Sequence, residues 1–127
     1  MKGIFWAVLH QNTADFLKSK ALFETIHSHH ITLRFDVEYE EMSEWDGVRV
    51  PFLLTEIAWD AKIQAARVEL LTDVPCGNRN PHVTISAKEG VSPVKSNDVL
   101  AEATYTREEV LPHQFGWAHV EFFSFDK

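Results

Sequence analysis

From His30 to Val37 apolar and polar residues alternate without a break, with Ile31, Leu33, Phe35 and Val37 on one parity and His30, Thr32, Arg34 and Asp36 on the other. Period-two alternation predicts a strand with one buried and one wet face, and the reading extends to Tyr39. The pattern returns at residues 82–88, where Val83, Ile85 and Ala87 oppose His82, Thr84, Ser86 and Lys88. Residues 3–10, GIFWAVLH, are a short aromatic and β-branched run ended by polar residues, as in a buried strand. Residues 12–27 differ. Ala14, Phe16, Leu17, Ala21, Leu22, Phe23 and Ile26 make a broad apolar face at helical spacing, with Asn12 or Thr13 as N-cap. Residues 40–47 read as a turn region, and 48–60 and 63–71 as two strands joined near Asp60 and Ala61. Residues 72–81 hold enough Pro, Gly and Asn for an ordered loop. Residues 96–104 read as a short helix capped by Ser96 or Asn97, and 115–125 as a last strand with Phe122, Phe123 and Phe125 in the core. No linker, low-complexity segment or long repeat interrupts residues 1–127, which read as a single domain. The order β-α-β-β-β-β-α-β predicts an α+β fold, a mostly antiparallel sheet with helices packed outside.

Composition narrows the classes. A chain of 127 residues with 45% hydrophobic and 24% charged content can bury a real core and reads as soluble and globular. Twelve basic against nineteen acidic residues give a net charge of -7, and no Lys/Arg cluster occurs. A protein that holds long nucleic acid unaided carries a basic stripe, which is lacking. The lone Cys76 cannot form an internal disulfide and fits a reducing compartment. The apolar run Ile4 to Leu9 is too short to cross a membrane, and no small-residue cleavage site follows it. The expectation is a cytoplasmic protein without membrane association; the sequence carries no signal of oligomeric state.

The two alternating strands also carry the candidate chemistry. His30, Thr32 and Arg34 share one face; His82, Thr84, Ser86 and Lys88 share another. Side by side, they would gather two imidazoles, three hydroxyls and two cations. Hydroxyls and cations suit phosphoryl oxygens, and histidines, with pKa values near 6.5, suit proton transfer in either direction. A single His-x-Thr has little specificity, because both residues are ordinary on the wet face of a strand. Two of them in the same phase on two strands are the stronger signal.

HHITLRF and NPHVTISAK resemble the two signature motifs of the two-histidine (2H) phosphoesterase superfamily of RNA ligase-like proteins and cyclic phosphodiesterases. The second match is the closer, with Pro81 directly before the histidine. IFWAVLHQNTADFLKSK is similar to that family's first strand, loop and helix. The resemblance implies a bilobed α+β fold whose lobes each lend one motif strand to a central cleft. It implies metal-independent cleavage, or ligation, of a phosphodiester at a ribose 2′ or 3′ oxygen, with no cofactor. His30 and His82 would be acid and base, and Thr32 and Thr84 the phosphate ligands. The motifs lie closer in sequence than is usual there, and the cationic positions after them differ, so Arg34 and Lys88 are not carried over with the motifs. The expected substrate is a small nucleotide or RNA end, such as a 2′,3′-cyclic phosphate, or a small cyclic oligonucleotide.

Further candidates flank these motifs. Trp45, in a polar turn, is the preferred base-stacking residue among four tryptophans that otherwise read as packing. Lys95, Ser96 and Asn97 precede a helix, where free N–H groups favour either capping or an anion. His10, His113 and His119 read as structural. The rival class is a cupin-like metal protein, with HSHH, Glu38 or Glu40, and His82 as ligands. The histidines of HSHH split between parities, however, and the glycine pattern of such barrels is missing. A binding module that kept the fold without the chemistry is the third reading.

Overall fold

The computed structural model describes residues 1–101 and 106–126. Seven strands, β1 (Lys2–Leu9), β2 (Thr25–Ile26), β3 (His30–Glu38), β4 (Arg49–Trp59), β5 (Ile63–Leu70), β6 (His82–Ala87) and β7 (Thr106–Ser124), accompany two helices, α1 (Gln11–Lys18) and α2 (Ser96–Ala101). All strand pairs are antiparallel, in the order β2-β6-β3-β1-β7-β4-β5, and a further β5–β6 pairing closes the sheet into a barrel-like ring. The α+β class and antiparallel sheet are as the sequence pattern predicts. The strands form one ring, and β3 and β6 are direct neighbours within it.

Inward positions fill the ring, as in small barrels generally. Phe5, Ala7, Ile31, Leu33, Val50, Phe52, Leu54, Val83, Ile85, Ala118 and Val120 make one buried core, which Ala14 and Leu17 of α1 join. Gly116 permits a close approach, since a Cβ there would meet the Thr13 hydroxyl and the Phe52 ring. A smaller cluster of Ala58, Ile63, Ala65, Ala87, Val99 and Leu100 seats α2. Among the described residues no helix is long and apolar enough to cross a membrane.

Several expectations need correcting. Helix α1 ends at Lys18, and its N-cap is His10 without a side-chain cap bond, not Asn12 or Thr13. The residues beyond it are captured by β6. The Leu22 and Phe23 N–H groups donate to the buried Ser86 hydroxyl (3.3 and 3.2 Å), and Thr25–Ile26 pair with Ala87 and Ser86. Long-range pairing overrides the local helical pattern here. Strand β7 starts nine residues earlier than expected, at Thr106 rather than residue 115. The end of the expected second helix, residues 102–104, lies outside the described residues. Phe123 and Phe125 are exposed, whereas Phe122 packs against the core. Phe35 is also exposed, because the β1–β3 ladder shifts register at Asp36 (φ 58°), turning Phe35 out while Val37 stays in.

Candidate functional site

Strands β3 and β6 meet at the pair Ile31–Val83, both fully buried. One residue to either side, the chain turns His30 and Thr32 of β3, and His82 and Thr84 of β6, to the outer face. The strands run antiparallel, so each histidine lies beside the other strand's threonine. All four line a single cavity of about 830 Å³, with Arg34 and Phe35 further along β3. Its other walls are His27 and His29, the loop residues Gly77, Asn78 and Arg79, and Ser92, Pro93, Val94 and Asn97 at the approach to α2.

Each motif side chain is held by its neighbours. His30 lies against the Trp6 ring, with centroids 4.3 Å apart, and its Nδ1 is 3.0 Å from the Nδ1 of His29. Burial, reinforced by the neighbouring imidazoles of His29, His82 and His27, lowers its pKa from 6.5 to about 4. His30 is therefore a neutral ring at pH 7, ready to accept a proton. His82 Nδ1 sits 2.8 Å from the Asn80 carbonyl, so it is the N–H that donates and Nε2 carries the free lone pair. Burial lowers the His82 pKa, the Asn80 carbonyl opposes that shift, and the Arg67 charge adds to it. The Thr84 hydroxyl pairs with the buried Ser96 hydroxyl at 2.8 Å, tying the motif to the first residue of α2.

The loop before β6 is pinned beside the site. The Gly77 N–H donates to the Leu33 carbonyl (2.7 Å), and Gly77 lets the Arg34 stem lie close, since a Cβ there would stand 3.3 Å from Arg34 Cδ. Arg34 also approaches Glu41 at 3.9 Å, a long surface pair of little weight. Asn80 is fixed by Arg67, whose Nη1 donates to its Oδ1 at 3.0 Å.

Of the predicted site residues, the structure brings together His30, Thr32, His82, Thr84 and Arg34. Ser86 is not among them: it is fully buried, and its hydroxyl donates to Gln64 Oε1 at 2.7 Å. A register shift between Gln64 and Ala65 leaves Ile85 without a partner on β5 and turns Ser86 inward. Lys88 and Lys95 are exposed and do not line the cavity, and Trp45 packs against the core. Ser96 acts through Thr84, and Asn97 reaches the wall with its Oδ1 buried and unpartnered. Sequence reasoning missed His29, Asn78, Arg79 and Ser92. For Arg79 a signal existed: an arginine in a Gly/Asn loop three residues before the second motif. His27 and His29, offered as ligands by the cupin-like reading, line the same cavity, but Glu38 and Glu40 do not. Among the described residues no three His, Cys, Asp or Glu side chains are grouped to hold a metal ion.

With this geometry in place, comparison with known families is informative. The model of the family described as "Fungal tRNA ligase phosphodiesterase domain" matches residues 6–121, a span that contains both motifs. Comparison with curated proteins gives no match.

Proposed function

The chain belongs to the fungal tRNA ligase phosphodiesterase domain family, within the 2H phosphoesterase superfamily, and we propose that it opens a 2′,3′-cyclic phosphate on a nucleotide or RNA end without a metal. Water attacks phosphorus, and one motif imidazole takes its proton. The bond from phosphorus to one ribose oxygen breaks, and the other imidazole protonates that oxygen. The Thr32 and Thr84 hydroxyls hold the non-bridging oxygens as charge builds on them, with Arg34 and Arg79 as nearby cations. The cavity between β3 and β6 corresponds, in this reading, to the central cleft of the bilobed superfamily fold. The observation that carries the proposal is that both His-x-Thr motifs line one cavity from adjacent strands.

The test is hydrolysis of nucleoside 2′,3′-cyclic phosphates, with and without a strong chelator. His30→Ala and His82→Ala should each lose roughly 10²–10⁴-fold in rate, the ordinary contribution of a general acid or base. Thr32→Ala and Thr84→Ala should lose less. Circular dichroism should stay native, and the chelator should leave the wild type unaffected. Full activity in either histidine variant would refute the assignment. Loss in chelator, restored by a divalent cation, would return the metal reading.

A further inference from the structure

The irregularity at Asp36 puts an aromatic ring where regular alternation would bury it. Asp36 has a left-handed backbone (φ 58°), uncommon for a residue with a side chain, and it stands unpaired in the β1–β3 ladder between Phe35 and Val37. As a result Phe35 is 67% exposed and lines the cavity. The Phe125 ring, 42% exposed, lies against it with centroids 5.5 Å apart. Apolar surface continues from there toward the motif histidines. Ile4 lies opposite Phe35 on β1 and opposite Phe123 on β7, Phe123 packs on Trp6 (5.2 Å), and Trp6 packs on His30. A backbone irregularity that gives up burial to expose a ring at a cavity mouth calls for a ligand.

We propose that Phe35, backed by Phe125, stacks the base of the nucleotide adjoining the reacting one, so that the preferred substrate is an RNA end of two or more nucleotides. The inference rests on the phosphodiesterase reading for the position of the reacting phosphate. Along β3 the order is Thr32, Arg34, Phe35. With a rise of about 3.3 Å per residue, Phe35 lies roughly 10 Å beyond the threonine that holds the reacting phosphate. Arg34 falls between them, with Arg79 on the same cavity wall. A phosphate at Thr32, an internal phosphodiester at Arg34 and a base on Phe35 are the sequence of groups that a dinucleotide presents. A flat aromatic pair beside two guanidinium groups suits a nucleic-acid strand better than a protein surface, and stacking of this kind tolerates any base.

Calorimetry on the wild-type protein, with a nucleoside 2′-phosphate against a dinucleotide ending in a 2′-phosphate, tests this without turnover. The dinucleotide should bind roughly 5- to 100-fold tighter, the range of one stacked base. Phe35→Ala should bring that ratio toward one, Phe35→Trp should keep it, and exchanging the stacked base should change it little. Because the ring is exposed, the variants should retain the native circular dichroism. Equal affinities in the wild type, no binding of either compound, or an unchanged ratio in natively folded Phe35→Ala would overturn the subsite. A dinucleotide advantage with no hydrolysis of any cyclic phosphate would sink the phosphodiesterase reading and leave the subsite standing.

Discussion

His30 shows how one buried ring links catalysis to stability. Its folded-state pKa is about 4 against an ordinary 6.5, so the proton is bound more tightly in the unfolded chain. Above pH 6.5 neither state carries it and stability is unaffected. As pH falls from 6.5 toward 4, the unfolded chain takes up a proton that the folded protein refuses, and stability declines by up to about 3 kcal/mol. His82, shifted the same way, adds to this slope. In urea unfolding at pH 7 and pH 4.5, His30→Gln should therefore lose about 2–3 kcal/mol less than the wild type between the two pH values. Identical pH dependence in the two proteins would show that His30 titrates normally. The same shift keeps His30 neutral, and able to accept a proton, well into the acid range. This residue was legible from spacing alone, because its phase on β3 is undisturbed: Ile31 on one side is core, and His30 is left facing the cavity. Ser86 and Phe35 were not legible. Each lies next to a one-residue irregularity, at Ile85 and Asp36, and a shift of one residue exchanges the faces of everything beyond it.

Between elements, the site depends on charge pairs that no local pattern announces. Helix α2 is six residues long and too short to stand without tertiary support. Its Val99 and Leu100 carbonyls accept from Arg107 (3.3 and 3.1 Å), and Leu100 also accepts from Arg67 (2.8 Å). Glu56 joins both guanidinium groups, at 3.0 Å to Arg67 and 2.6 Å to Arg107. Arg67 thus steadies α2, whose Ser96 holds Thr84, and also Asn80, whose carbonyl holds His82. Arg67→Met should destabilise the fold by roughly 1–3 kcal/mol, since the pair is only partly buried. It should also lower kcat more than it changes KM, and raise the His82 pKa as the opposing charge disappears. Arg67→Lys keeps the charge but cannot fork to three acceptors, so it should restore the His82 titration without restoring kcat. If NMR finds the His82 titration unmoved in Arg67→Met, Arg67 is structural only. The elements themselves were readable to differing degrees. Strands β1, β3, β4, β5 and β6 follow from period-two or short apolar runs. The early half of β7 does not, because Pro112 and a charged run argue against a strand. Residues 110–113 find no partners on β4: its ladder steps from Glu109 opposite Glu56 to Gln114 opposite Leu54, so Pro112 displaces no ladder bond there.

At the scale of the molecule, charge limits how much RNA the cavity can serve. The net charge of -7 comes from nineteen acidic residues against twelve basic ones, and of the basic ones Arg34 and Arg79 line the cavity, while Lys88 and Lys95 do not. Each single-strand phosphate neutralised contributes about 0.7 to the slope of log affinity against log salt. Two phosphates, one at the threonines and one at Arg34, would give a slope of about -1.4, far shallower than that of a protein tracking a long backbone. Beyond the Phe35 subsite the strand would meet a surface whose field repels it. Affinity should therefore rise from mononucleotide to dinucleotide and then level off, with a long RNA of the same end binding no tighter and showing no steeper slope. Competition binding across a salt series, with a nucleotide, a dinucleotide and a long RNA ending alike, measures all of this at once. A long RNA that wins strongly at low salt and loses its advantage as salt is added would mean that the described surface holds a cationic path the charge balance conceals, and the two-phosphate limit would fall.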